Sequence, residues 1–260
     1  MTIRIGIAGI AGRMGRLLAE EIVAAGATLS GGTIRPGAAL ATLPPGLPVM
    51  TDIVALCEAS DVVIDFTHAR TARAHALAAA ETGTVLILGS SGLSVTDEEA
   101  VAEAAHRTPI VYAANFAPGV NLFLAIAERM AAALPPAQYD AEIVEMHHRQ
   151  KVDAPSGTAV ALGRAVAAGR GTTLEEAGRE SGRDGHCGAR GTGTIGFAAL
   201  RGGQVVGEHT LLFAAASEHI SLTHRSFDRR VYATGAVRAA LWAAGRTPGL
   251  YGMGEVLGIR

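Results

Sequence analysis

Two cysteines in 260 residues, Cys57 and Cys187, are too few for a disulfide framework, and neither belongs to a C-x-x-C or a Cys/His cluster of zinc-binding spacing. Both read as reduced, structural thiols, and no metal site is expected. The chain lacks any run of roughly 18 uninterrupted apolar residues, so a membrane-spanning helix is not expected. Its opening, MTIRIGIAGIAGRMG, has neither the apolar core nor the small-residue cleavage site of a secretory signal, and a cytoplasmic location follows as the expectation. Blocks of like charge are absent too. The 22 Lys and Arg and 24 Asp and Glu are interspersed and leave a net charge of −2, which argues against nucleic acid or a membrane surface as partner and favours small molecules.

What the chain does have is apolar mass: 49% hydrophobic residues, enough to bury a sizeable core over this length. Up to Asn115 the pattern alternates. Strands are expected at 3–8, 61–66, 84–88 and 110–113, with helices at 13–25, 71–82 and 96–106, an order that implies right-handed crossovers and a parallel sheet covered on both faces. Beyond it the texture changes to helices at 120–134 and 157–168, a strand in AEIVEMHH, a Gly/Arg/Glu-rich loop over 169–193, three strand-length runs and a last helix at 232–244. The expected fold is α/β: a Rossmann-type doubly wound sheet over 1–117, completed by 228–260, and an α+β domain over 118–227. The second domain should carry an open mixed sheet, mostly antiparallel. No repeat of solenoid period is present.

The segment GIAGRMG puts Gly9, Gly12 and Gly15 between the first strand and the first helix. Glycines there permit a tight turn and let backbone amides and the helix N-terminus approach a pyrophosphate. A second strand should end about 20 residues on, where NAD-preferring folds place an acid for the ribose 2′-hydroxyl. Between Glu21 and Asp52 there is no acid, and Arg35 stands in GGTIRPG, able to pair with a 2′-phosphate. NADPH is therefore favoured over NADH. LGSSG (88–92) and AANFAPG (113–119) also follow strands, at the edge that lines a cofactor crevice.

EMHHRQKVDAPSGTA (145–159) crowds His147, His148, Arg149 and Lys151 ahead of a helix start. On a strand Glu145, His147, Arg149 and Lys151 would share one face, unless the chain bends near Gln150. Ser156 is a natural N-cap, leaving Gly157 and Thr158 to present free amides in the first turn. A helix N-terminus beside two histidines and a lysine makes an anion site with proton donors, suited to a carboxylate substrate that takes a proton as hydride arrives. An edge strand that carries cations only to block aggregation remains an alternative.

EIVEMHHRQKVDAPSGTA (142–159) resembles the signature of the dihydrodipicolinate reductase family, also called 4-hydroxy-tetrahydrodipicolinate reductases, and GIAGRMGR, VIDFT, AANFAPGVN, GTIGFAALRGGQVVGEHTLLFA and GAVRAALW extend the likeness along the chain. The resemblance implies hydride transfer from NADPH, with NADH an alternative, to a cyclic dicarboxylic imine, with loss of water, in the diaminopimelate route to lysine. It assigns His147 and Lys151 to catalysis and His148, Ser156, Gly157 and Thr158 to the substrate carboxylates. Gly9, Ile10, Ala11, Gly12, Arg13 and Met14, then Gly89, Ser90 and Ser91, then Ala113, Ala114, Asn115 and Phe116, match the family's cofactor contacts. It also implies a homotetramer built on the second domain's open sheet. Where many members have an acid followed by arginine, this chain has Ile34-Arg35, so dual cofactor use is not carried over. Loop 169–193 receives no role. Open alternatives are a dinucleotide-sensing protein without chemistry and a reductase of another carboxylated imine or semialdehyde.

Overall fold

The computed structural model describes residues 2–259 apart from 36, 38–42, 44 and 45. The chain runs β1 (Arg4–Ala8), α1 (Arg13–Ala24), β2 (Thr28–Thr33), β3 (Val49–Met50), α2 (Ile53–Glu58), β4 (Val62–Asp65), α3 (Ala69–Thr82), β5 (Val85–Leu88), α4 (Val95–Ala104), β6 (Pro109–Tyr112) and α5 (Pro118–Ala133). It continues with β7 (Asp140–His147), α6 (Gly157–Gly169), α7 (Leu174–Ala177), β8 (Arg179–Ser181), β9 (Ile195–Arg201), β10 (Gly207–Ala214) and β11 (His219–Ser226), and ends with α8 (Arg230–Ala243), β12 (Gly249–Tyr251) and α9 (Met253–Leu257). Two compact units result, Met1–Pro118 with Arg230–Arg260, and Gly119–Arg229.

The first unit holds a parallel sheet in the order β12-β6-β5-β4-β1-β2-β3. VVID and VLIL are almost wholly apolar because both faces of these strands are covered. Ile5, Ile7, Ile64, Ile87 and Val111 pack under α1 and α8, whereas Val63, Leu86, Leu88 and Ile110 pack under α2, α3 and α4. Strand β1 lies between β2 and β4, so the connections leave it in opposite directions and open a crevice at the carboxyl ends. The C-terminal pieces β12 and α9 were not legible in the sequence; β12 adds an edge strand beside β6.

The second unit holds a five-stranded sheet in the order β11-β10-β7-β9-β8. The expected antiparallel majority is not found: β10 pairs antiparallel with β11 and β7, but β7 with β9 and β8 with β9 are parallel. The parallel pairs arise because the segment after β7 crosses through α6 before returning to the sheet. One face packs Ala141, Ile143, Phe197, Leu211 and Phe213 against Phe123 and Ala127 of α5 and Leu162 and Val166 of α6. On the opposite face Val144 and Leu200 are exposed. Segment 169–193 is not one loop. Thr173 and Glu176 form a capping box that starts α7, β8 joins the sheet, and Arg183 and Arg190 both bind Glu142, with Arg190 also reaching Asp140.

Candidate active site

The loops expected to meet a dinucleotide all leave carboxyl ends of strands in the first unit. Gly9 follows β1 with φ +73°, in the left-handed region, and a Cβ there would come within 2.8 Å of the Thr67 methyl; both facts require glycine. The Gly12 amide donates to the Gly9 carbonyl at 2.9 Å, closing the turn, and no side chain caps α1. Its N-terminus is thus open to an anion. The Gly9 and Ile10 amides are committed to Thr33 and the Gly12 amide to Gly9, and the Ile10 side chain is fully buried. Arg35 is exposed two residues past β2. After β5, Ser90 is buried with a hydroxyl that has no partner among the described residues, while Ser91 is exposed. After β6, Ala114 is exposed, Asn115 accepts the Ala117 amide, and the Phe116 side chain lies in the core. A tight glycine turn, an uncapped helix and an orphaned buried hydroxyl fit a dinucleotide.

Beneath these loops lies a network that reading the sequence did not single out. Asp65, fully buried at the end of β4, accepts from the Thr67 amide (2.7 Å) and hydroxyl (2.6 Å) through one oxygen and sits 2.6 Å from His75 Nδ1 through the other. Thr67 abuts Gly9, the Asp65 carbonyl receives the Gly89 amide, and the Phe66 ring packs tilted against Phe116, 5.4 Å between centroids. One short segment therefore braces all three loops.

In the second unit β7 ends at His147, and a turn closed by the Lys151 amide on the His148 carbonyl follows. The strand face therefore does not extend to Arg149 and Lys151; both Arg149 and Gln150 are exposed on the turn. Glu145 and His147 point to the covered face with Ala141 and Ile143, the period of two placing them together. Glu145 is 1% exposed, and its Oε2 lies 2.6 Å from His147 Nδ1. Arg201, opposite His147 on β9, forks onto Glu145 with two 2.8 Å bonds, and the Ser156 amide donates to Glu145 Oε1 at 3.0 Å. Burial works to raise the Glu145 pKa, but the bonds from Arg201, His147 and Ser156 outweigh it and keep the carboxylate ionised. Burial lowers the His147 pKa, Glu145 opposes, and the charges of Lys151 and Arg201 add to the lowering.

Ser156 caps α6, accepting the Ala159 amide, and its hydroxyl also pairs with His209 Nε2 at 2.9 Å. Ser156 is 2% exposed. Among the described residues the amides of Gly157 and Thr158 have no backbone partner. His148 has a buried Nδ1 with no partner among the described residues, and Lys151 Nζ pairs with Asp153 at 2.8 Å. His209, opposite Glu145 on β10, packs edge-on against His147 at 5.1 Å, and its pKa is pushed down to about 4, by burial first and then by the neighbouring His147. Arg201 and His209 were missed because strand register, not spacing along the chain, brings them in. The one signal for His209 was a histidine at a core position of the alternating run GEHTLLFA. Cys57 is buried and its thiol pushed up to about 11 by burial, so it is no nucleophile.

Two family models cover this chain: dihydrodipicolinate reductase, N-terminus, over residues 3–116, and dihydrodipicolinate reductase, C-terminus, over 119–257. The chain belongs to the dihydrodipicolinate reductase family. It is 67% identical over 259 residues to the 4-hydroxy-tetrahydrodipicolinate reductase of Granulibacter bethesdensis, spanning 100% of this chain and 98% of that one. With the enzyme of the same name from Gluconacetobacter diazotrophicus identity is 60%, over 99% and 98% of the two chains. A dipicolinate-bound dihydrodipicolinate reductase from Paenisporosarcina sp. TG-14 shares the fold with a TM-score of 0.79 at 24% identity, over 97% of this chain and 98% of that one. In this dihydrodipicolinate reductase family member, Lys151 is the only lysine among 22 basic residues. The other 21 are arginines.

Proposed function

We propose that the chain reduces 4-hydroxy-tetrahydrodipicolinate to tetrahydrodipicolinate with loss of water, using NADPH in preference to NADH. The observation that carries this reading is the solitary lysine beside the Glu145–His147 pair and the open first turn of α6. When bound, the reduced nicotinamide supplies hydride. Residues 11–14 and the N-terminus of α1 hold the pyrophosphate, with Gly89, Ser90, Ser91 and 113–115 completing the cofactor site. Arg35 meets the 2′-phosphate, and no acid competes there. The amides of Gly157 and Thr158 bind a substrate carboxylate, His148 assists, Lys151 gives the proton, and His147 accepts a hydrogen bond.

Lys151→Arg tests it. Arginine keeps the charge but does not release its proton near neutral pH. Turnover should fall on the order of 10² to 10⁴-fold, with NADPH affinity unchanged; full activity in this variant would place the acid elsewhere. In the unmutated protein, binding of NADPH should exceed that of NADH by roughly tenfold to a hundredfold, the worth of one charge-assisted contact.

The exposed face with Val144 and Leu200 supports self-association, and the proposed assembly is a homotetramer. A species sedimenting at the 26.5 kDa of one chain would contradict that assembly. Among the described residues no helix is long and apolar enough to cross a membrane.

A further inference from the structure

We infer that Arg201 and Glu145 are positioning residues that fix the tautomer of His147 and hold Lys151's segment and the α6 turn in register with it. The inference rests on the reductase reading above. Glu145 is ionised and accepts only, so the 2.6 Å contact requires a proton on His147 Nδ1 and leaves Nε2 as an acceptor. The space beside that nitrogen is kept by Gly207, where a Cβ would lie 3.1 Å from Nε2. Arg201 is the second half of the device. Besides its fork on Glu145, its Nη2 donates to the Asp153 carbonyl at 2.6 Å, and Asp153 in turn holds Lys151 Nζ. Glu145 Oε1, meanwhile, takes the amide of the N-cap Ser156. One partly buried ion pair thus touches His147, the segment with the proton donor and the start of the anion-binding helix. The groups facing His147 are Glu145 on its own strand, Arg201 on β9, His209 on β10 and Lys151 in the following turn.

Glu145→Gln separates this role from a merely structural one. The Oε1 position faces two obligate donors, the Ser156 amide and Arg201 Nη2, whereas Oε2 faces one, Arg201 Nη1, and an adaptable imidazole. The new amide NH₂ therefore settles on the Oε2 side and donates to His147 Nδ1, which moves the ring proton to Nε2.

The experiment combines ¹⁵N NMR of the imidazoles with kinetics on the full chain. In the unmutated protein near neutral pH, His147 should carry its proton on Nδ1 alone; a protonated Nε2 or a doubly protonated ring overturns the inference without any variant. In Glu145→Gln the proton should move to Nε2 and kcat should fall on the order of 10² to 10⁴-fold, as expected when a histidine is held in the wrong tautomer. NADPH affinity should be retained. The acid limb of kcat/KM should move to lower pH, because the carboxylate that opposes the lowering of the His147 pKa is gone. Wild-type kcat in Glu145→Gln overturns the inference and leaves the reductase reading standing. Absence of turnover in the unmutated protein overturns that reading instead, with the NMR result still deciding the tautomer.

Discussion

Among the described residues are two carboxylate–histidine pairs of equal length with a buried carboxylate, Asp65–His75 and Glu145–His147, each closed at 2.6 Å. What surrounds them differs. Asp65 takes its other bonds from Thr67, two residues on, and His75 lies within ten, so the pair pins one short segment and through it the loops after β1, β5 and β6. Glu145 draws Arg201 from another strand and Ser156 from a helix start, so it ties together parts of the chain far apart in sequence. The same chemical pair acts as a local brace in one unit and as a junction in the other. What decides is whether the remaining lone pairs face local neutral donors or a distant arginine.

Acid should separate the two regions most strongly. His209 titrates at about 4 in the folded chain against 6.5 for the free side chain, so between those values the unfolded chain binds the extra proton. Stability contributed by the neutral ring is complete above pH 6.5 and declines as pH falls toward 4, by roughly 3 kcal/mol in all. His147 and His224 are shifted in the same direction, so the loss centres on the second unit. Hydrogen exchange of β10 amides at pH 7.5 and 5 measures it, and His209→Gln should flatten the dependence. An unchanged slope in that variant would assign the effect to other groups.

Removing the brace comes next in size. Asp65→Asn leaves buried donors short of an acceptor and should cost about 2 kcal/mol in the first unit. NADPH should bind roughly tenfold more weakly as the loops loosen, while kcat at saturating cofactor holds. A fall in kcat with unchanged NADPH affinity would mean that the two pairs do not divide the labour in this way. Ser156→Ala should give the smallest effect, about 1 kcal/mol for the lost cap, read as a raised KM for substrate with kcat near that of the unmutated protein.

The β-α alternation of the first unit, its glycine turn and the Ser156 cap were legible because each depends on residues close together in the chain. So was the crowding of His147, His148 and Lys151. The bend after His147 was foreseen only as a possibility, since the turn is anchored partly by Gly203, some fifty residues on. Arg201, Glu145's role and His209 depended on which strands pair and in what register, and a parallel β7–β9 pair across a long crossover leaves no local mark. Segment 169–193 hid α7 and β8 because four and three residues are too few to show a period, although Thr173 and Glu176 have capping-box spacing.

A chain with a single ε-amine offers a chemical handle. Reagents selective for amines can modify only Lys151 and the α-amino group, so reductive methylation with ¹³C-formaldehyde would plant one side-chain resonance at the site while preserving its charge. That resonance would follow substrate arrival and the contact with Asp153 without any substitution. The same scarcity means that acylation of one side chain suffices to remove the proposed acid, so protection by substrate against an acylating reagent becomes a direct measure of occupancy.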